Sequence, residues 1–151
     1  MSQIVLLDSG PLGMVTNPKA TSPLHQECQL WLQSLPLKGY IIVLSEIADY
    51  EVRRELIRAG KKAGIKRLDE LKSELPYRPL TTQVMLMAAQ LWADARRRGR
   101  PTADATALDG DVILAAQARL EANQGNEVVI ATTNVGHLSQ FVDAREWRMI
   151  Q

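Results

Sequence analysis

Four oxygen-bearing side chains lie next to apolar segments of the chain and could together bind a divalent cation. Asp8 and Asn134 each follow a short apolar run, Glu51 lies in a helical segment, and Asp111 directly precedes an apolar run. Carboxylates at apolar junctions are costly unless they are paired or bound to metal, and converging carboxylates raise one another's pKa values. A divalent cation removes that repulsion, and hard oxygen ligands select Mg²⁺ or Mn²⁺.

Each of these side chains also has a purely structural explanation. Asp8 could bond the amides of a turn, and Asn134 precedes ordinary turn residues. Asp109 and Asp111 are favoured at a helix N-terminus, where they cap free amides and interact with the helix dipole. Glu51 could pair with a nearby arginine on an exposed helix face. The joint pattern, rather than any one residue, carries the metal hypothesis.

The elements that must position these side chains follow from apolar periodicity and from Pro, Gly and capping residues. Strands are predicted at 4–7, 40–44 and 128–131, with a very short strand near 78–80 and a last, edge strand at 145–150. Helices are predicted at 23–35, 46–60, 65–75, 82–98 and 109–122, and residues 101–108 are predicted as a loop. Unbroken apolar strands that alternate with amphipathic helices indicate a parallel sheet covered on both faces.

The predicted fold is therefore α/β, a three-layer α/β/α single domain over 1–151 with a central, mostly parallel sheet. Ligands of such sheets bind beyond the carboxyl ends of the strands. Asp111 is expected in the first turn of its helix. Glu51 is expected on the same helix side as Ile47 and beside Tyr50, among residues that pack inward.

Composition narrows the function classes. The chain has 151 residues, of which 46% are hydrophobic and 23% are charged, enough to bury a core without disulfides. The single cysteine, Cys28, excludes an internal disulfide and is typical of a reducing cytosol, so a cytoplasmic location is expected. With His25 and His137 as the other soft ligands, the sequence argues against structural zinc. We expect no signal peptide and no membrane association.

The net charge is only +1, but the basic residues are clustered between 53 and 67 and between 96 and 100. Such clusters can steer a polyanion, and they can equally be solvated helix faces or helix ends. The candidates for nucleic-acid contacts are Arg53, Arg54, Arg58, Arg97 and Arg98.

Four segments resemble, in order and spacing, the motifs of PIN domains. They are residues 6–9 (LLDS), 44–51 (LSEIADYE), 111–116 (DVILAA) and 132–138 (TTNVGHL). The VapC-type toxins of bacterial toxin–antitoxin pairs are the nearest in pattern, and the resemblance extends over residues 4–150. It implies that Asp8, Glu51 and Asp111 bind Mg²⁺ or Mn²⁺ and form the catalytic centre, with Asn134 in a fourth position that is often Asp.

The resemblance also implies supporting roles around that centre. A neutral amide at position 134 weakens a second metal site, and Asp109, or less readily Asp104, would supply the missing charge. Ser9 or Thr133 would contact the scissile phosphate or fix a metal-bound water. His137 belongs to the family's turn motif and is assigned no catalytic role.

The implied activity is Mg²⁺- or Mn²⁺-dependent hydrolysis of RNA phosphodiester bonds by an endoribonuclease, the toxin of a toxin–antitoxin pair. Single-stranded or looped RNA is the expected substrate, and an antitoxin protein and a homodimer are the expected partners. Candidate dimer surfaces, which could instead be core, are the helix with Ile65, Leu68, Leu71 and Leu75, and Met85, Met87 and Trp92. The alternative is a nucleic-acid-binding PIN domain with weak or lost nuclease activity. A phosphatase-like or response-regulator-like domain is disfavoured, because it requires an acid pair and a late lysine that the sequence lacks.

Overall fold

The structure, a computed structural model, describes residues 2–17, 22–98 and 105–151, with the backbone alone for 105–108. The strands are β1 (Gln3–Leu7), β2 (Tyr40–Ser45), β3 (Tyr77–Arg78), β4 (Glu127–Thr132) and β5 (Ala144–Glu146). The helices are α1 (Ser9–Val15), α2 (Pro23–Ser34), α3 (Glu46–Arg58), α4 (Lys62–Glu74), α5 (Thr82–Arg97) and α6 (Ala105–Asn123). The strands form one sheet in the order β3-β2-β1-β4-β5, and every paired neighbour is parallel.

The central strand β1 is buried on both faces, which explains its unbroken apolar sequence. Val5 and Leu7 face the core that α1, α2, α3 and α4 cover. Ile4 and Leu6 face the opposite core, which α6 covers, and α5 packs on the outer side of α6. The molecule is therefore a three-layer α/β/α fold, and this prediction is confirmed.

Two helix starts differ from the predictions, and both bear on the site. A helix, α1, begins immediately after Asp8, where a turn was expected, and Asp8 is its N-cap. The helix α6 begins at Ala105 and not near Asp109, so Asp111 lies almost two turns inside it and not in its first turn. The remainder of the predicted loop, residues 101–104, lies outside the described residues.

The C-terminal strand is shorter than predicted but does lie at an edge of the sheet. β5 ends at Glu146, whose side chain accepts a hydrogen bond from the Arg148 amide and so starts a 3₁₀ turn at Trp147–Met149. The Trp147 ring packs edge-on against Trp31, with 5.5 Å between centroids, which holds this turn on the core. Within the described ranges, no helix is both long and apolar enough to cross a membrane.

Candidate active site

The carboxylate of Asp8 is held in one orientation at the carboxyl edge of the sheet. The Ser9 amide donates to its Oδ1 at 2.8 Å, and the Thr132 hydroxyl donates to its Oδ2 at 2.7 Å. Because β1 and β4 are adjacent and parallel, Asp8 and Thr132 come from strand ends at the same edge. Thr132 is fully buried. Thr132 was not predicted as a site residue, although a hydroxyl directly after the predicted strand 128–131 was the available signal.

Glu51 approaches this edge from α3, the helix that follows β2. It is half-buried, and it lies so close to α6 that a methyl group on Gly110 would be 3.0 Å from its Oε2. Glycine at 110 therefore leaves room for this carboxylate. The expectation that Tyr50 also packs inward is wrong, since it is 55% exposed and lies beneath the Arg54 guanidinium. The buried side of α3 carries Ala48 and Val52 instead, because these positions face the sheet.

Asp111 completes a group of three carboxylates that repel one another. Burial, and then the negative charge of Asp8, raise the pKa of Asp111 from 3.8 to about 6, while His137 lowers it. Burial is the largest cause that raises the pKa of Glu51, and the negative charge of Asp8 is the second. The charge of Asp111 raises it further. Arg54 partly offsets this effect. The structure thus brings Asp8, Glu51 and Asp111 together from three separate elements. We call them the acidic site.

The chemistry of this donor set fits a hard divalent cation. The three donors are carboxylates, and two of them have pKa values that a nearby positive charge would lower again. With the side chains as they stand, no three His, Cys, Asp or Glu residues among those described are arranged to hold a metal ion. The carboxylates therefore have to move closer together before one ion can contact all three.

Asn134 lies next to the acidic site but its side chain is used in a turn. Its Oδ1 accepts a hydrogen bond from the Gly136 amide at 3.1 Å, and the residue is exposed. The backbone amide of Asn134 donates to the Thr132 hydroxyl at 3.1 Å, and this hydroxyl in turn donates to Asp8. Asn134 is thus connected to Asp8 through Thr132, while its side-chain oxygen accepts from Gly136.

The predicted supporting residues are placed differently from one another. Ser9 is half-buried beside Asp8, and Thr133 is exposed with its side chain against Gly10, where a methyl group would lie 2.6 Å from its Oγ1. Asp109 is exposed, and it is not among the charges that shift Glu51 or Asp111. Asp104 lies outside the described residues. His137 is half-buried, and its Nδ1 has no hydrogen-bond partner within the described ranges.

Of the predicted nucleic-acid contacts on α3, Arg53 has a structural use. Its Nε donates to the buried Asp49 at 2.7 Å and its Nη1 to Asp69 at 2.8 Å, which ties α3 to α4. Arg54 is fully open to solvent, and Arg58 is exposed in an ion pair with Glu55.

At the end of α5, Arg97 is exposed, with its Nη1 3.8 Å from Oδ1 of Asp94. Arg98, directly after the helix, is exposed as well. Ala95, one turn earlier, packs in the same cluster as Val112 of α6. The last turn of α5 and the segment of α6 that follows Asp111 therefore contribute to one apolar cluster.

A cleft of about 770 Å³ opens beside the acidic site, between α1, α3 and the start of α4. Ser9, Gly10 and Glu51 line the end nearest the acidic site, and Arg54, Arg58 and Lys61 lie along it. We call it the α1–α3 cleft.

The chain is similar to solved structures over nearly its whole length, although no family model and no curated protein matches its sequence. The VapBC2 structure from Rickettsia felis, bound to a DNA fragment from their promoter, is 16% identical with a TM-score of 0.69, covering 95% of this chain and 98% of that one. VapBC-1 from nontypeable Haemophilus influenzae is 18% identical with a TM-score of 0.66, covering 97% and 99%. Mycobacterium tuberculosis VapC20, a sarcin–ricin loop cleaving toxin, is 18% identical with a TM-score of 0.65, covering 93% and 98%. The predicted resemblance to VapC-type PIN domains is thereby confirmed for the fold.

Proposed function

We propose that this chain is a single-domain, Mg²⁺- or Mn²⁺-dependent endoribonuclease that acts as the toxin of a toxin–antitoxin pair. The observation that carries the proposal is the electrostatic coupling of Asp8, Glu51 and Asp111, which three elements bring to the carboxyl edge of the sheet. Maintaining three mutually repelling carboxylates lowers stability, and this is typical of a functional site. The fold shared with a sarcin–ricin loop cleaving toxin supports the same activity.

In the proposed mechanism, Asp8 and Asp111 would hold the metal, and Glu51 would either hold it as well or orient the attacking water. Mg²⁺ or Mn²⁺, when bound, would supply a water of lowered pKa and offset charge on the phosphate. Thr132 keeps the Asp8 carboxylate aimed by donating to its Oδ2. Ser9, the first residue of α1, and Thr133, just after β4, would contact the scissile phosphate. In the hydrolysis, water adds to phosphorus and gives up a proton to solvent, and the bond to the ribose oxygen breaks as that oxygen takes up a proton, which leaves a phosphate and a ribose hydroxyl.

RNA approaches the acidic site along exposed arginines. Arg54 and Arg58 line the cleft beside Glu51. Arg97 and Arg98 end α5, whose last turn contributes to one apolar cluster with the segment of α6 that follows Asp111. We assign the phosphate contacts to these four and leave Arg53 with its structural role, because it is already bonded to two carboxylates.

Partners and location follow from the same proposal. The VapBC neighbours support an antitoxin as the partner of this chain. A homodimer would use exposed side chains of α5, where Met85 is 44% exposed. In contrast, Leu68 and Leu71 of the other predicted surface are buried in this chain's own core. We place the protein in the cytoplasm, where its buried, free Cys28 stays reduced.

A second candidate function is RNA binding with weak or lost nuclease activity. Asn134 favours it, because the fourth position brings no negative charge and its amide oxygen is engaged by Gly136. Under this reading, the exposed arginines bind RNA while the acidic site binds metal weakly.

The test is cleavage of a mixed RNA pool with Mg²⁺, then with Mn²⁺, by the wild type, Asp8→Asn and the control Glu74→Gln. The control makes the same carboxylate-to-amide change at an exposed position near the end of α4. We expect metal-dependent cutting that Glu74→Gln retains and Asp8→Asn loses, with circular dichroism showing all three folded. Intact RNA that is nevertheless retained on a filter in a salt-sensitive manner would favour the binding function. Cutting that Asp8→Asn retains would contradict the proposed site.

A further inference from the structure

The α1–α3 cleft has the size and composition of a small-ligand pocket. Its volume of about 770 Å³ falls within the range of about 300–1,000 Å³ that such pockets have. Gly13, Val52 and Leu56 give it an apolar wall. Thr16 and Asn17 also line it, with their side chains hydrogen-bonded within the protein.

Glycines shape the cleft. A methyl group on Gly13 would meet nothing within 4 Å, so this position of α1 faces open space. A methyl group on Gly64 would lie 2.8 Å from Cδ2 of Leu56, so glycine there lets α4 pack tightly against α3. The apolar wall is therefore a built surface between two closely packed helices.

Charge along the cleft suits a polyanion that starts at the acidic site. The lining carries Arg54, Arg58 and Lys61 beside Glu51 and Glu55. Arg58 forms an ion pair with Glu55, and Arg54 lies over the Tyr50 ring, whereas Lys61 forms no ion pair with the carboxylates the structure describes. Glu51 belongs both to the cleft and to the acidic site, so the two are continuous.

We propose that the α1–α3 cleft is a base-binding subsite for the nucleoside next to the scissile phosphate of a single-stranded RNA. This inference rests on the proposed nuclease function. With the phosphate at the acidic site, the neighbouring base enters the cleft and covers the apolar wall, and Arg54 and Lys61 contact the next phosphate. A paired base stays stacked in its helix, so the subsite selects unpaired RNA. A nucleotide fits better than a protein segment because the cleft begins at the site of cleavage and has three cations along it against two carboxylates.

The test is a double comparison of enzyme and substrate. Gly13→Leu adds a side chain that extends into the cleft, since a Cβ at that position has no neighbour within 4 Å. Ala122→Leu, on the exposed end of α6, is the control. The substrates are an RNA with one cut site and two abasic versions of it. One lacks the base before the cut, and the other lacks the base after the cut.

For the wild type, removal of one neighbouring base is expected to lower kcat/KM about tenfold, the factor for about 55 Å² of apolar surface left in water. Gly13→Leu should lower kcat/KM for the intact RNA by a similar factor and show no further loss on the abasic RNA. Ala122→Leu should behave like the wild type on both substrates.

Failure of this inference is distinguishable from failure of the proposed function. One outcome is that the wild type cuts, but removal of the base lowers kcat/KM of Gly13→Leu by the same factor as that of the wild type. In that case the subsite is wrong and the nuclease function stands. If Gly13→Leu cuts every substrate with the kcat/KM of the wild type, the proposed subsite is also wrong. A protein segment is then the better candidate for the occupant of the cleft. If no RNA is cut, the nuclease function fails. Fluorescence anisotropy of the labelled RNAs then decides: equal affinity for intact and abasic RNA overturns the subsite, and weaker binding of abasic RNA by the wild type alone supports it.

Discussion

Replacing Asp111 with asparagine should stabilise the metal-free protein at neutral pH. In the folded chain, burial and the charge of Asp8 raise the pKa of Asp111 from 3.8 to about 6. Between these two values, the folded state binds a proton more readily than the unfolded state. Stability from this group therefore falls as pH rises through that window, and the loss is complete above it. At pH 7.5 the ionised carboxylate is a net cost, which Asp111→Asn removes.

The magnitude follows from the two pKa values. Their difference corresponds to at most about 3 kcal/mol. Because Asp111 is only half-buried, solvent screening reduces this to about 1–2 kcal/mol. For a chain of this length, that gain raises Tm by about 3–6 °C. At pH 4, where the folded wild-type carboxyl is already protonated, the gain should nearly vanish.

The assay is urea unfolding in EDTA at pH 7.5 and pH 4, followed by the fluorescence of the three tryptophans. Asp109→Asn is the charge-matched control, because it lies on the exposed side of the same helix and should change stability by no more than about 0.5 kcal/mol. A neutral or destabilising Asp111→Asn at pH 7.5 would refute the reasoning. So would a gain of the same size at both pH values.

Three further predictions concern the surroundings of the acidic site. Gly10→Ala should lower the free energy of unfolding by about 1–3 kcal/mol, because its methyl group would lie 2.6 Å from Thr133 Oγ1. Gly13→Ala on the same helix should be neutral or stabilising in the same urea titration, and equal losses would contradict the packing. Thr132→Val should lower the free energy of unfolding by about 1–2 kcal/mol, because it removes two hydrogen bonds. The control is Thr133→Val at an exposed position, which should leave stability unchanged, and equal effects of the two substitutions would count against the Thr132 contacts. Mn²⁺ affinity measured by calorimetry should fall up to about tenfold per pH unit below pH 6 as Asp111 takes up a proton, and a flat profile between pH 5 and 7 would exclude its ionisation from metal binding.

Much of the fold could be predicted because the strands are short apolar runs between clear turn signals. The same rules failed at α1, whose seven residues include Gly10, Pro11 and Gly13. Poor helix formers predict a turn there. The helix forms because Asp8 caps it and because Leu12 is buried in the core. The burial of Leu12 depends on residues far away in the sequence, which local rules do not take into account. The early start of α6 was missed for a similar reason, since Gly110 in its second turn lowers helix propensity.

The three carboxylates could be predicted because each is an acidic residue beside apolar residues, and strand ends of a parallel sheet meet at one edge. Only Asp8 lies at an element boundary, since Glu51 and Asp111 lie more than one turn inside α3 and α6. Their detailed environment could not. The orientation of Asp8 depends on Thr132, which is 124 residues away in the sequence. The burial of Glu51 depends on the absence of a side chain at Gly110. Helical periodicity also placed Tyr50 inside, although an aromatic ring under Arg54 is accommodated at the surface.

Mn²⁺ binding is the most direct test that Asp8, Glu51 and Asp111 form one metal site. The free ion is counted by electron paramagnetic resonance while Mn²⁺ is added to the wild type and to Asp8→Asn, Glu51→Gln, Asp111→Asn and Asp109→Asn. We expect at least one ion bound per wild-type chain, a loss of affinity of tenfold or more in each of the first three variants, and little change in Asp109→Asn. Binding that is absent in the wild type, or that survives all three substitutions, would contradict the metal site.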